Sequence, residues 1–378
     1  MKRNIHVGKY LGIDVYLHYS WFFIFLLLAW ALATGFFPQR WPGQPSSAYW
    51  VLGALSSLLL FVSVLLHELS HSVVARHGGM KVDRITLFFF GGMASTHEEH
   101  ISPKKEFQMA IAGPMMSLFI SMVALIVYNI TSFFYVAAVA NYLFRINLIL
   151  AIFNLVPGFP LDGGRVLRSI IWYWTRDFKR ATRIASAGGK LVAYTLVFLG
   201  LVSVFAGNFG GLWMVLIGFF LLALSTLSYE QVVIKDALSG KKVEEFIVRR
   251  FPRIGPDISL REAVIDHFLK KDESSFVVMK GHELQGVLNI DDVQKIAKKE
   301  WRRLKVKDVM VHKEKIPKVS PTTGAYPALM GILKAGMEFV PVSGKKGAVG
   351  ILKRDDLLRY VKLKTTREKL EKMGFEAK

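Results

Sequence analysis

Up to about Tyr229 the chain consists of long uncharged runs, and beyond it Lys, Arg, Asp and Glu crowd every segment. That segregation dictates the architecture. An apolar run of roughly 17–25 residues crosses a bilayer as a helix, because in lipid each backbone polar group must be satisfied within its own segment. Runs of this kind cover 15–37, 50–75, 107–128 and 133–156. Two shorter ones, 191–205 and 212–227, are separated by a Gly-containing turn that suits a helical hairpin. The sequence therefore predicts about six transmembrane helices followed by a water-soluble half. The totals, 52% hydrophobic and 21% charged residues with a mean hydropathy of +0.35, are those of a chain divided in this way. The first run is too long for a signal peptide and lacks a small-residue cleavage pattern, so it is expected to stay as the first span.

Basic residues set the orientation. Lys2, Arg3 and Lys9 precede the first span; Arg76, Lys81, Arg84, Lys104 and Lys105 lie between spans two and three, and a further basic cluster lies between spans four and five. The alternate connections hold only Arg40. An excess of Lys and Arg marks cytoplasmic loops, so a multi-pass protein of the cell membrane with both termini in the cytoplasm is expected. Spans two and four then run inward and bring their C-terminal ends to one face. The formal charge of +20 follows from these flanks; no nucleic-acid motif accompanies it, and nucleic acid is not expected as a partner.

With no cysteine in the chain, disulfides, thiolate metal sites and cysteine nucleophiles are excluded. Any metal must be held by His, Asp or Glu. Near the end of the second span stands His67-Glu68-Leu69-Ser70-His71, two imidazoles at i and i+4 on one helical face with Glu68 beside the first ligand but off that face. This is the spacing for a zinc ion with a neighbouring general base. Ionisable groups in a span are costly and default to function. A helix running from His67 to Arg76, where the apolar character ends, rises about 13 Å, which sinks the site below the cytoplasmic surface. A hydrolytic zinc needs a third ligand and one open position. Asp162 is the best candidate: it follows Asn154, Pro157 and Pro160 at the inner end of span four and precedes Gly163 and Gly164. The prolines break the helix and the glycines permit a sharp turn, letting Asp162 leave the helical path. The alternative is a loop acid facing water. The Asn154 amide either hydrogen-bonds a developing oxyanion or ties down the broken backbone. Arg145 interrupts the fourth span without an assigned partner.

These two motifs together, His67-Glu68-x-x-His71 and Asn154-x-x-Pro157-x-x-Pro160-Leu161-Asp162-Gly163-Gly164, resemble the site-2 protease family. The resemblance extends to Gly113-Pro114 and the Phe90-Gly91-Gly92 stretch. It implies that His67, His71 and Asp162 bind Zn2+, one per chain, that Glu68 is the general base and that Asn154 assists. The substrate implied is a transmembrane segment of another protein, cut within or near the lipid bilayer. The stretch 84–93 is rich in β-formers and is expected to form strands at the membrane surface, either to hold substrate extended or only to seal the bundle.

Beyond Tyr229 short strands alternate with amphipathic helices, and the segment ending in Gly286 to Asp292 is repeated about 60 residues later, ending in Gly350 to Asp356. The repeat resembles a tandem pair of cystathionine-β-synthase (CBS) domains. That resemblance implies an adenine nucleotide reached by Asp292 and Asp356, and a homodimer formed through the pair. The Thr or Ser that usually precedes the Asp is Asn289 or Lys353 here, and the other reading is that both acids stabilise helix N-termini. The predicted architecture is a multi-span α-helical membrane domain with a small interfacial β element, followed by an α+β tandem CBS-domain pair. Its divisions are 1–228 for the transmembrane metalloprotease, 229–245 for a linker, 246–304 and 305–364 for the two CBS domains, and 365–378 for a charged tail. The rival to an intramembrane zinc protease is a CBS-gated channel or transporter in which the same polar residues line an ion path.

Overall fold

A computed structural model describes residues 4–88, 91–97, 102–271, 273–281, 283–344 and 347–372. The chain divides into two compact units, Met1–Tyr229 and Glu230–Lys378. The first opens with strands β1 (Asn4–Tyr10) and β2 (Ile13–His18), followed by α1 (Ser20–Arg40) and α2 (Ser46–His77). Strands β3 (Lys81–Phe88) and β4 (Gly91–His97) lead to α3 (Pro103–Ile130) and α4 (Phe134–Asn154). A short helix α5 (Asp162–Thr175) precedes α6 (Phe178–Phe205) and α7 (Gly211–Leu238). Six of these helices, α1 to α4, α6 and α7, are long and apolar enough to cross a membrane.

The spans differ from the expected ones in instructive ways. Residues 15–18, read as the start of the first span, belong to β2, whose Ile13 and Val15 are fully buried. The last two helices are longer than their apolar cores, because polar turns extend α6 and α7 at one end; α7 continues to Leu238, so part of the stretch read as a linker is helical. Helix α2 has 32 residues, about 48 Å of helix against a hydrocarbon core of about 30 Å. Its HExxH segment lies in the C-terminal third of the helix.

The β element is larger than the stretch 84–93, of which Phe90 lies outside the described residues. It is a four-stranded sheet in the order β1-β2-β3-β4. Strand β2 pairs parallel with β3, from Asp14 opposite Arg84 to Leu17 opposite Leu87, while the outer pairs are antiparallel. One face buries Ile13, Ile85 and Leu87 against Trp21 and Ile24 of α1 and Phe61 and Leu69 of α2. Leu69 lies inside the HExxH segment, so this core fixes the sheet over it. Arg145 is exposed on α4, and its Nε donates to Oδ1 of Asn141, one turn toward the N-terminal end, at 3.1 Å.

In the second unit β6 (Ser275–Lys280) and β7 (Glu283–Asn289) form one hairpin and β9 (Phe339–Gly344) and β10 (Gly347–Lys353) another. The hairpin of the first repeat receives β5 (Arg253–Ile254) on one side and β8 (Val311–His312), from the second repeat, on the other. Reciprocally, Val248 of the first repeat bridges to Ile351 of β10, and Val319 pairs parallel with Val342. Each repeat completes its sheet with a segment of the other, which accounts for the α+β pair behaving as one unit.

Candidate metal centre

Helix α2 delivers His67 and His71 to one face, both buried. Helix α4 ends at Asn154, the chain turns through 155–161, and Asp162 opens α5 as its first residue. This differs from the expected sharp turn. Gly163 and Gly164 are already helical, and what requires them is close approach: a Cβ on Gly163 would strike the Leu155 carbonyl, and one on Gly164 the backbone of Gly158 and Phe159. Glycine lets the first turn of α5 lie directly on the preceding loop, and so presents Asp162 to α2.

Three atoms converge. Nε2 of His67 lies 3.1 Å from Oδ2 of Asp162, Nε2 of His71 lies 3.2 Å from the same oxygen, and the two Nε2 atoms are 3.2 Å apart. A tetrahedral zinc with bonds of about 2.0–2.1 Å separates its donors by about 3.3 Å. The remaining ring nitrogens are engaged by α3: Nδ1 of His71 donates to the Met109 carbonyl at 2.7 Å, and Nδ1 of His67 lies 2.9 Å from the Ser117 hydroxyl. A carbonyl only accepts, so the neutral His71 ring carries its proton on Nδ1 and turns a lone pair on Nε2 toward the carboxylate oxygen. Acceptors this close repel one another unless a proton or a cation stands between them. Gly113 completes the enclosure, since a Cβ there would meet Nε2 of His71 and come within 2.5 Å of Nε2 of His67. These observations fit a divalent cation, and His67, His71 and Asp162 are the residues able to hold it.

Glu68 leaves the helix on another side, toward β4, where a Cβ on Gly92 would lie 2.9 Å from its Cδ and 3.2 Å from its Oε1. Asn154 is half-buried at the end of α4 and is not one of the converging ligands. In the second unit Asp292 lines a cavity of about 420 Å³ together with Ser275, Asn289, Lys295, Lys315 and Glu338. Its carboxylate accepts from Lys295 at 2.8 Å and from the Asn289 amide at 3.1 Å; the hydrogen bond raises the pKa of Lys295 above its ordinary value. Asp356 does not line that cavity and pairs instead with Arg359 at 2.9 Å.

The model of peptidase family M50 matches residues 55–138 and 129–199, which include both motifs. The Synechocystis sp. protein sll0528 is 33% identical over 95% of this chain and 96% of its own. The zinc metalloprotease MJ0392 of Methanocaldococcus jannaschii is 30% identical over 98% of this chain and all of its own. The chain belongs to peptidase family M50. The structure of the site-2 protease from Methanocaldococcus jannaschii is similar over 60% of this chain and 95% of its own, with 29% identity and a TM-score of 0.42. As a member of family M50 the chain is a zinc metalloprotease of the multi-pass, intramembrane kind, and the channel reading is set aside.

Sequence reasoning missed the contribution of α3. Met109, Gly113 and Ser117 stand at i, i+4 and i+8, one face of a helix. Glu106 stands one turn before Met109 and Ala110 and is buried with them. An acid within an apolar helix, on the same face as Ala110, Gly113 and Ser117, was the available signal.

Proposed function

We propose that the M50 unit hydrolyses a peptide bond within or near a transmembrane segment of another membrane protein, with His67, His71 and Asp162 holding one zinc ion per chain. The observation that carries this is the meeting of two buried imidazole nitrogens and a carboxylate oxygen within 3.1–3.2 Å of one another. Zinc bound there would supply a Lewis acid and an acidified water. Glu68 takes a proton from the attacking water and returns it to the leaving amine nitrogen. Asn154 hydrogen-bonds the developing oxyanion. Strand β4 supports an extended substrate: it is one of the two edges of the sheet among the described residues, the one whose Gly92 lies so near Glu68 that an added Cβ would strike it. An edge strand that pairs with the substrate opens a helix that would otherwise shield its peptide bonds.

The test is Glu68→Gln in the purified, reconstituted chain. Zinc stays at one per chain while cleavage of a single-span test protein falls about 10²–10⁴-fold. Unchanged cleavage would remove Glu68 from the chemistry, and loss of zinc would make it a ligand.

The domain divisions, the cytoplasmic placement of both termini and regulation through the CBS-like pair belong to the same reading. The cavity beside Asp292 supports an adenine nucleotide at that position. A homodimer through the pair is checked by the mass of the detergent-solubilised chain.

A further inference from the structure

We infer that the buried ion pair between Glu106 of α3 and Arg168 of α5 is a positioning device that holds Asp162 against the histidine pair. The inference rests on the metal-centre reading given above. Glu106 is 1% exposed and Arg168 is 9% exposed. Nε of Arg168 donates to Oε1 of Glu106 at 2.8 Å, and its terminal NH2 donates to the same oxygen. Two aromatic rings take the guanidinium, Phe159 with its centroid at 4.8 Å and Phe178 with its centroid at 4.7 Å.

The placement of these partners makes the pair more than a tie between helices. Phe159 stands three residues before Asp162 in the loop 155–161, and Arg168 stands six residues after it on α5. Asp162 is therefore bracketed on both sides by one cationic side chain. Phe178 begins α6, and Glu106 belongs to the helix whose Met109 and Ser117 orient the two imidazoles. Helix α3 thus sets the positions of all three ligands: His71 through a carbonyl, His67 through a hydroxyl, and Asp162 through the Glu106–Arg168 pair. Nearby, Arg165 reaches Sδ of Met109 at 3.6 Å, a contact too weak to replace the pair. The second oxygen of Glu106, Oε2, has no hydrogen-bond partner among the described residues, so Glu106 depends on Arg168 for its neutralisation. Partners that orient metal ligands are commonly worth 10–100-fold in metal affinity.

The experiment uses the full-length chain in detergent, loaded with zinc or with Co2+ as a spectroscopic probe. Arg168→Met leaves a buried carboxylate unpaired and can prevent folding, so the decisive variant is the double change Glu106→Met with Arg168→Met, which removes both charges and keeps apolar volume. The expected result is a chain that unfolds at the wild-type temperature but binds zinc about 10–100-fold more weakly in competition with a chelator. Its Co2+ absorption bands should lose the intensity of a tetrahedral site, because Asp162 is released while both histidines stay tied to α3. Arg168→Lys, which keeps the charge without the planar fork, should recover part of the affinity. A double variant that folds and binds Co2+ with wild-type affinity and spectrum would overturn the inference, leaving the pair a packing feature. A wild-type chain that binds neither ion would instead overturn the metal-centre reading itself, so the two failures are distinct.

Discussion

Adding one methyl group at Gly113 should disable the metal centre while leaving the bundle folded. The new Cβ would lie 2.5 Å from Nε2 of His67, 2.6 Å from Cε1 of His71 and closer still to Nε2 of His71. Real Cβ contacts stay beyond 3.0 Å, so His67 must move by at least 3.0 − 2.5, about 0.5 Å, and His71 by more. Ligand positions tolerate only about 0.2 Å. Relief by a shift of α3 is blocked, because Ala110 and Ser117 on either side of Gly113 are fully buried. The strain costs about 1–3 kcal/mol of stability, which a packed bundle survives. A displacement approaching 1 Å costs about 10²-fold in activity. The assay is zinc content and chelator competition on purified Gly113→Ala, cleavage of a single-span test protein, and thermal unfolding. Gly35→Ala is the control, since nothing lies within 4 Å of its added Cβ, and it should match the parent chain. Full zinc occupancy at parental affinity in Gly113→Ala, with parental cleavage, would refute the claim that α3 closes directly on the ligand nitrogens.

Ser117→Ala removes the partner at Nδ1 of His67 and should weaken zinc about tenfold in the same competition; an unchanged affinity would show that the hydroxyl only fills space. Asn154→Ala should lower kcat about 10²–10³-fold with zinc content and KM retained, whereas a matching loss of metal would return Asn154 to a backbone role. In calorimetric titration with AMP, Asp292→Asn should weaken binding about tenfold while Asp356→Asn leaves it unaltered, because Asp292 lines the cavity beside Lys295 and Asp356 does not line it; equal effects would remove the distinction between the repeats.

What could be read from the sequence depended on period. The HExxH pair was legible because i and i+4 fix two side chains on one helical face whatever surrounds them, and the six spans because lipid forbids any other arrangement of long apolar runs. The first span was misjudged where two periods overlap. In Ile13-Asp-Val15-Tyr-Leu17-His18 the apolar residues alternate, the mark of a half-buried strand, but a hydropathy window averages the alternation into the helix that follows. The parallel pairing of β2 with β3 was not legible at all, since two spans separate the strands in sequence. Asp162 was found through topology, and its glycine neighbours were understood for the wrong reason. Gly163 and Gly164 provide room for the loop backbone rather than a sharp turn, a distinction carried by packing and invisible in the residue type.

The Gly113-Pro114 pair illustrates how such a site can be assembled inside an apolar bundle. A helix normally spends every carbonyl on its own ladder, so an intramembrane imidazole finds few free backbone acceptors. Proline within a helix removes one ladder donor and crowds the carbonyl four residues earlier, which here is that of Ala110. The freed carbonyl is thus the neighbour of the Met109 carbonyl, which accepts from Nδ1 of His71. The residue before the proline is the glycine against which both Nε2 atoms lie. The dipeptide thus acts at two levels of the helix: its proline interrupts the ladder beside the carbonyl that fixes a ligand's tautomer, and its glycine clears the volume that the ligand nitrogens need. Neither would suffice alone, because an oriented imidazole with no space cannot hold an ion, and a space without an oriented imidazole offers no lone pair.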